Sequence, residues 1–525
     1  MADTKREIER KYEGPATEGD ADLPDLMGVA GVASVVDKGV AELDATYYDT
    51  VDQRLAAASL TLRRRTGGDD AGWHLKLPVS EGVRDEIHAP LSDDLPRSLT
   101  GLVRSRVRDG ELVPLVRLRS ARDIRHLQDD SGALLAEVSL DRVRAERLSG
   151  GEGTAEWTEI EVELADDGDP AFLDKVEKKL RKAGLARSAS ASKLAKALVE
   201  TGAERTSSPK FSKSPESPSS GKSPASSKSP ASTKSPGTAG DHVMAYVVAQ
   251  RDAIVELDPA VRRDLPDSVH SMRVATRRMR STFRSFGKVL DRAVTDPIGE
   301  ELKWLAGELG VDRDQEVLTE RLTGALGKLP RDLLSGPVRK RLRTWSNARR
   351  GGSRRRLIAV LDGRRYLDLL TALDALVAEP PFLKAAAGDP SEVIAKAVRK
   401  DFRKVSDLIG EALDRPTGAD RDLAMHDARK KAKRTRYAAE AAAPALGGPA
   451  DDLVKAMKSL QSLLGDHQDS VMAREAVLGL GAQAYAAGES AFTYGVLYGR
   501  EEQRAAAAEA ALPEAWATVE RKASV

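Results

Sequence analysis

Glu7, Glu9 and Lys11 alternate along a short charged stretch near the start of the chain, and the same alternation returns further on with other charges. Arg63 is spaced in this way with Arg65, His74 with Lys76, Arg84 with Glu86, and Arg117 with Arg119; later come Glu137 with Asp141, and Glu159 with Glu161 and Glu163. Side chains at i and i+2 of a β-strand share a face, so each group projects from one side of its strand. Guanidinium groups grip phosphate oxygens two at a time, and gathered carboxylates hold a hard divalent ion such as Mg2+ or Mn2+. Acidic residues gather on the first and last of these stretches, basic ones on the middle ones. If the sheet closes with these side chains inside, the lumen is wet and lined by both signs. A triphosphate with its divalent ion would complete the pairing that burial demands.

A second constellation lies far along the chain. His270-Ser-Met-Arg273-Val-Ala-Thr-Arg277-Arg278-Met-Arg280 returns as His426-Asp-Ala-Arg429-Lys430-Lys-Ala-Lys433-Arg434-Thr-Arg436, each pair 156 positions apart. Downstream, Leu305-x3-Leu309-Gly310-x3-Asp314 is matched by Leu460-x3-Leu464-Gly465-x3-Asp469 at an offset of 155. Order, spacing and chemistry all recur, which marks a duplicated helical unit. On a helix, residues at i, i+3, i+7 and i+10 lie within about 80° of arc. His270, Arg273, Arg277, Arg280 and Arg284 therefore form one stripe and His426, Arg429, Lys433 and Arg436 its counterpart, with Arg278, Lys430 and Arg434 beside them. Rows of like charge repel, and a polyanion relieves that repulsion. No carboxylate cluster accompanies the stripes, so they read as a surface for binding rather than catalysis. The Leu-x3-Leu-Gly repeats read as packing and helix-end features; Asp314 and Asp469 read as helix caps or as groups that orient a stripe cation, capping being preferred.

The elements that must position these residues follow two grammars. Up to about residue 203 the dominant period is two, in stretches such as Leu60–Arg65, Trp73–Leu77, Leu115–Arg119, Leu135–Asp141 and Glu159–Leu164. Gly67-Gly68, Asp129–Gly132 and Gly150-Gly151 supply turns between these strands, and helices are expected near Pro170–Ala183 and Ser190–Glu200. Residues 204–240 repeat Lys-Ser-Pro at Lys222, Lys228 and Lys234 with almost nothing apolar to bury, the composition of an extended, disordered linker. From 241 to 525 the period is about 3.6 and the composition turns to Ala, Leu, Arg and Glu, which predicts an all-helical domain. Strands before a linker and helices after it mean two domains, a multidomain α+β chain.

Composition bounds the rest. Over 525 residues, 83 basic and 82 acidic side chains leave a formal charge of +1, which argues against a simple basic nucleic-acid binder. Few aromatics (7 Phe, 5 Trp, 9 Tyr) are available for base stacking, so no specific nucleic acid is expected as a partner. There is no cysteine, which excludes disulfides and thiolate metal sites and fits a reducing compartment. The opening residues are charged, without the apolar core of a signal peptide, and no run of about 18 apolar residues occurs. A cytoplasmic protein with no membrane partner is expected.

The N-terminal motifs taken in order resemble those of the CYTH domains, the triphosphate tunnel metalloenzymes. Glu7-x-Glu9-x-Lys11, Tyr47-Tyr-Asp49-Thr, Leu60 with Arg63-x-Arg65, and Glu159-Ile-Glu161 carry the resemblance, which extends to Lys193. It implies an eight-stranded antiparallel barrel forming a tunnel, and hydrolysis of a triphosphate to diphosphate and phosphate. It implies that Lys11, Arg63, Arg65, Lys76, Arg84, Arg117, Arg119 and Lys193 hold phosphates. Glu7, Glu9, Asp141, Glu159 and Glu161 would hold one or two ions, Mg2+ or Mn2+, with Lys76, Glu7 and Glu9 closest to the chemistry. His74 and His88 share the inward face and read as hydrogen-bonded structural groups. The two histidine-arginine stripes resemble the CHAD domain, the conserved histidine α-helical domain. That resemblance implies two pseudo-symmetric four-helix bundles that bind inorganic polyphosphate, and association with polyphosphate granules. The leading expectation is thus a metal-dependent triphosphatase tethered to a polyphosphate holder. A non-catalytic polyphosphate-binding protein is the alternative, followed by an adenylate cyclase.

Overall fold

The computed structural model describes residues 3–14, 23–202, 237–350 and 353–523, and these fall into two compact units, one on each side of residues 203–236. The expected linker lies almost wholly outside the described residues.

The first unit is built on strands β1 (Asp3–Glu13), β2 (Ser34–Asp49), β3 (Thr61–Thr66), β4 (Gly72–Ser80), β5 (Val83–Pro90), β6 (Val113–Gln128), β7 (Leu134–Arg147), β8 (Thr154–Leu164) and the short β9 (Ala186–Arg187). Their order is β5-β4-β3-β2-β6-β7-β8-β1, with β9 on the end of β1. The first half of β1, Asp3–Ile8, pairs with β5, and Glu9–Tyr12 pairs with β8, so the eight long strands close into an antiparallel ring. Closure satisfies every edge and leaves a lumen. The alternation is inverted relative to an ordinary sheet with an apolar interior. Leu62, Trp73, Leu75, Leu77, Ile87 and Ala89 point outward and are covered by helices α1 (Arg54–Ala57) and α2 (Arg97–Val107). On another flank Tyr12, Leu127, Val138, Leu140, Ile160 and Val162 are covered by α3 (Ala171–Lys182). With the apolar faces sealed outside, the charged faces turn inward. One end of the ring is plugged by α4 (Lys193–Glu200): Leu194, Ala197 and Leu198 pack on Ala45, Tyr47, Val116, Leu118, Val143 and Ala145. Ser192 caps this helix by accepting from the Ala195 amide. At the β3–β4 turn Gly67 has φ +82, and a Cβ there would lie 2.0 Å from the Glu42 carbonyl oxygen, so no other residue fits.

The second unit is all-helical: α5 (Ala239–Arg262), α6 (Ser268–Ser285), α7 (Arg292–Glu308), α8 (Val311–Gly327), α9 (Val338–Arg350), α10 (Ser353–Asp362), α11 (Arg364–Ala378), α12 (Pro390–Asp414), α13 (Ala419–Leu446), α14 (Gly448–Ala486) and α15 (Phe492–Lys522). A capping box between Thr238 and Asp241 starts α5. The repeat offset maps α6 onto α13. It maps α7 and α8 together onto the single 39-residue α14, with Gly310 at the break and Gly465 inside the continuous helix. The main core draws on α5–α7, α10–α13, the first half of α14 and the end of α15. A second core joins α8 and α9 to the second half of α14 and the start of α15. Helices α14 and α15 are long enough to serve both, at about 1.5 Å per residue.

Candidate functional site

The ring encloses a cavity of about 840 Å3. Strand β1 contributes Lys5, Glu7, Glu9 and Lys11, β3 Arg63 and Arg65, β4 His74 and Lys76, β5 Arg84, Glu86 and His88, β8 Glu161 and Glu163, and α4 Lys193. Ion pairs knit the two signs across the lumen. Lys76 Nζ lies 2.5 Å from Glu7 Oε2 and 3.8 Å from Glu86 Oε1. Lys11 Nζ lies 2.5 Å from Glu161 Oε1 and 3.6 Å from Glu9 Oε1, linking the first strand to the last. Burial pushes the Glu7 carboxyl up to about 8 against the pull of Lys76, and a hydrogen bond with Glu86 adds to the rise. Burial acts the same way on Glu86, but Lys76, His74 and Arg63 overcome it and hold that carboxylate far below its usual range. Arg65 is pushed down to about 9 by burial and by its neighbours Arg63 and Arg122, a field that favours an added anion. His74 is the structural group expected: Nδ1 lies 3.0 Å from Glu86 Oε1 and Nε2 2.9 Å from the Asp70 carbonyl. Its ring stacks at a tilt on His88, with centroids 4.9 Å apart.

Deeper toward the plug, Asp141, Glu159 and Glu161 each offer a carboxylate oxygen, all within 4.8 Å of one another. Oxygen-only donors of this kind suit a hard divalent ion. The Lys193 ammonium stands among them, 3.0 Å from Asp141, 2.7 Å from Glu159 and 2.6 Å from Glu161. The cluster thus already receives a cation, and its residues fit a metal ion. Lys11, Lys193 and Arg122 overcome the burial of Glu161 and hold its carboxylate well below the ordinary range. Glu7 and Glu9 stand apart from this cluster, each paired with a lysine.

Two of the expected phosphate ligands do not face the lumen. Arg117 forms a forked pair with Asp44 at 2.9 and 2.5 Å, and Arg119 lies 3.7 Å from the same carboxylate with half its side chain exposed. On β6 the inward positions are Val116 and Leu118, buried against the α4 plug, and then Arg122, Ile124 and His126 in the cavity wall. Arg122 is the lumen cation of this strand: Nε and one terminal nitrogen each lie 2.8 Å from Asp141, and the latter also 2.7 Å from Glu161. Its signal was cross-strand, because Arg122 pairs directly with Asp141 in the β6–β7 ladder. Alternation alone could not supply it: where α4 enters, the inner face is apolar, and the arginines there belong outside. Glu86, Glu163, Lys5 and Tyr47 are further lining residues that spacing did not single out as ligands. If the lumen holds triphosphate, Arg122→Ala should raise KM by about ten- to a hundredfold, whereas Arg117→Ala should leave it within about twofold.

In the helical unit the two stripes meet. Burial, then Arg277, Arg429 and Arg273, push the Lys433 ammonium down to about 7, with Asp469 opposing. Four cations from α6 and α13 thus face one another. Arg273 packs against Gly310, where a Cβ would lie 2.7 Å from its guanidinium, and Arg429 against Gly465, with the corresponding distance to Nε at 3.5 Å. The repeated glycines are seats for the stripe arginines, a role that the Leu-x3-Leu-Gly pattern did not reveal. Asp469 lies inside α14, so it is no cap; it sits within the field of Arg429 and Lys433. Asp314 falls outside the described side chains. Arg280 and Arg284 line a neighbouring cavity with Arg292, Asp296 and Glu300. His270 is exposed, and His426 is half-buried, its imidazole pushed down by burial and by Lys430. Three of the expected ligands are tied to other helices or to solvent. Arg278 pairs with Glu440 at 2.9 Å, Arg434 with Asp401 at 3.0 Å and Ser285 at 3.1 Å, and Lys430 with Asp427 at 3.0 Å on the surface. Arg436 shares Glu440 at 3.3 Å and lies over the Tyr437 ring.

A closed eight-stranded tunnel lined by both charge signs, followed by a duplicated helical unit with basic stripes, defines a two-domain class. Residues 5–198 match the CYTH domain and residues 245–478 the CHAD domain. The uncharacterized protein Rv2226 of Mycobacterium tuberculosis strain H37Rv is 37% identical over 516 residues, covering 94% of this chain and 92% of the relative. The uncharacterized protein MT2285 of strain CDC 1551 matches with the same identity and coverage. The chain belongs to the family of proteins that join a CYTH domain to a CHAD domain. Among solved structures, PptA from Streptomyces chartreusis is similar at 22% identity, with a TM-score of 0.45, over 53% of this chain and 99% of that one. The CHAD domain from the plant Ricinus communis is similar at 22% identity, with a TM-score of 0.41, over 57% and 97%. Among the described residues no helix is long and apolar enough to cross a membrane.

Proposed function

We propose that the barrel hydrolyses inorganic triphosphate, or a closely related triphosphate, and that the helical domain holds inorganic polyphosphate. The observation that carries the first part is the Asp141–Glu159–Glu161 cluster, whose Glu161 lines the same ring cavity as Arg63, Arg65, Arg122 and Lys76. Arg63, Arg65 and Arg122 bind phosphate oxygens, and Lys11 and Lys193 neutralise the charge that remains. Asp141, Glu159 and Glu161 would hold Mg2+ or Mn2+, with Glu7 and Glu9 available for a second ion; the ion would supply charge neutralisation at the phosphoryl group and a more acidic water. Lys76, fixed between Glu7 and Glu86, directs its ammonium into the lumen toward the phosphate chain. Water adds to a terminal phosphorus as the bridging P–O bond breaks, releasing phosphate and diphosphate, and no protein nucleophile is required. The test is phosphate release from inorganic triphosphate with either ion; no turnover with Mg2+ or Mn2+ sinks the enzyme reading, and cyclic AMP from ATP would replace it with a cyclase.

Support for polyphosphate holding comes from the convergence of Arg273, Arg277 and Arg429 on Lys433, with Asp469 opposing. This arrangement sets a pH dependence. A bound polyanion raises the Lys433 pKa above its free value of about 7. Below that value the lysine is already charged and binding takes up no proton. Above it, binding takes up one proton, and affinity falls by up to about tenfold per pH unit. Long-chain polyphosphate should therefore bind about tenfold more weakly at pH 8 than at pH 6, and calorimetry in buffers of different ionisation heat should register the proton. Lys433→Met should flatten that slope.

A further inference from the structure

The helical unit contains a second group of potential ligands, made of residues that belong to neither basic stripe. Asp422 comes from the first turn of α13, His467 from the middle of α14 and Glu509 from α15. His467 is 1% exposed. Its Nε2 lies 3.2 Å from Asp422 Oδ1 and 3.6 Å from Glu509 Oε1, and one ligand atom from each of the three residues lies within 4.8 Å of the others. Yet this buried nitrogen makes no hydrogen bond: the Asp422 oxygen, though within reach, does not form one, and the Glu509 oxygen is too far. A buried polar atom without a partner is costly, and here it is aimed into the space between two carboxylates.

We infer that Asp422, His467 and Glu509 form a site for a divalent transition-metal ion, Zn2+ foremost, that clamps α13, α14 and α15 together. Bonds of 2.0–2.1 Å at tetrahedral angles place neighbouring ligand atoms about 3.3–3.4 Å apart. The two separations at Nε2 bracket that edge, and the larger exceeds a hydrogen bond. The outer oxygens of the carboxylates are held from behind. Asp422 Oδ2 lies 3.2 Å from Arg474, and Glu509 Oε2 lies 3.0 Å from Thr417 Oγ1 and 3.4 Å from Arg421. One oxygen of each carboxylate is thereby turned toward the imidazole, the arrangement by which a second layer of groups orients metal ligands. One imidazole and two carboxylates suit Zn2+ better than Mg2+, which prefers oxygen alone. Three protein donors leave one position open. Arg421 and Arg474 already balance the two carboxylates, so the ion adds positive charge and an anion or hydroxide is the fitting fourth ligand. The site belongs to the second half of the duplication: the equivalent positions of Asp422 and His467 in the first half are Pro266 and Asp312.

The test uses the full chain, stripped with a chelator, loaded with Zn2+ and passed through a desalting column before metal analysis. Wild type should retain one equivalent more than His467→Ala and one more than Asp422→Asn. Because the barrel's carboxylates are a second possible destination, the comparison is repeated in a Glu161→Gln background, where the one-equivalent difference should persist. Co2+ substitution should give visible absorption bands of tetrahedral intensity in wild type and in Glu161→Gln, but not in Asp422→Asn. Zn2+ should also raise the unfolding temperature of the helical unit in wild type and in Glu161→Gln, but not in Asp422→Asn. Asp422→Asn stays informative if His467→Ala fails to fold, since Asp422 is only partly buried. Equal Zn2+ retention and equal Co2+ spectra in wild type and Asp422→Asn would overturn the site and leave the three residues as an ion-pair network.

Discussion

Glu161→Gln should lower kcat/KM for triphosphate hydrolysis by about three orders of magnitude while triphosphate itself still binds. Three cations converge on this one carboxylate: Lys11 at 2.5 Å, Lys193 at 2.6 Å and Arg122 at 2.7 Å. With Asp141 and Glu159 it makes three negative charges against those three positive ones, so the resting cluster is neutral. On the proposed reading, the phosphate chain draws Lys193, Lys11 and Arg122 away as the metal ion enters. Ion and triphosphate should therefore bind together, each weakly without the other. The glutamine keeps the shape but leaves one buried cation in excess, which weakens the ion and favours the anion. Losing one partner of a buried pair also destabilises, by about 3–5 kcal/mol, and added triphosphate should restore much of that loss in the melting temperature. Ion affinity, measured by calorimetry with and without a saturating triphosphate, separates the two effects. Turnover within tenfold of wild type would place the ion elsewhere in the lumen.

The second large effect is expected in the helical unit. Joint replacement of Arg273 and Arg429 by Glu should weaken long-chain polyphosphate binding by about a thousandfold, because two favourable contacts become two repulsions in a seam already shielded from water. The gentler pair Arg273→Ala and Arg429→Ala should reduce the slope of log affinity against log salt by about 1.4, at roughly 0.7 per lost contact with a single-stranded polyanion. Triphosphate turnover in the barrel should be unchanged by either pair. An unaltered salt slope would show that these arginines serve their glycine seats and not a ligand.

The grouping of charges in both regions was legible in residue types and spacing. Alternation correctly grouped Glu7 with Glu9 and Lys11, Arg63 with Arg65, His74 with Lys76, and Glu161 with both Glu159 and Glu163, because a strand admits only two faces. The offset of 156 identified α6 and α13 as copies because duplication preserves order as well as type.

What alternation cannot state is which of two faces points inward, and tertiary structure decided this on β6. The α4 plug takes Val116 and Leu118, sends Arg117 and Arg119 outside to Asp44, and leaves Arg122 to reach Asp141. Helical spacing likewise placed Arg278 and Arg434 beside the stripes, but the packing of α5, α12 and α13 around them gave both to structural partners, Glu440 and Asp401. Gly310 and Gly465 read as packing glycines in the sequence, and in the fold Arg273 and Arg429 rest on them. By itself the sequence determined which groups share a surface and what chemistry they carry. Closure, plugging and helix contact determined which groups face one another, since partners across a lumen or a seam are set by distances that no local period encodes.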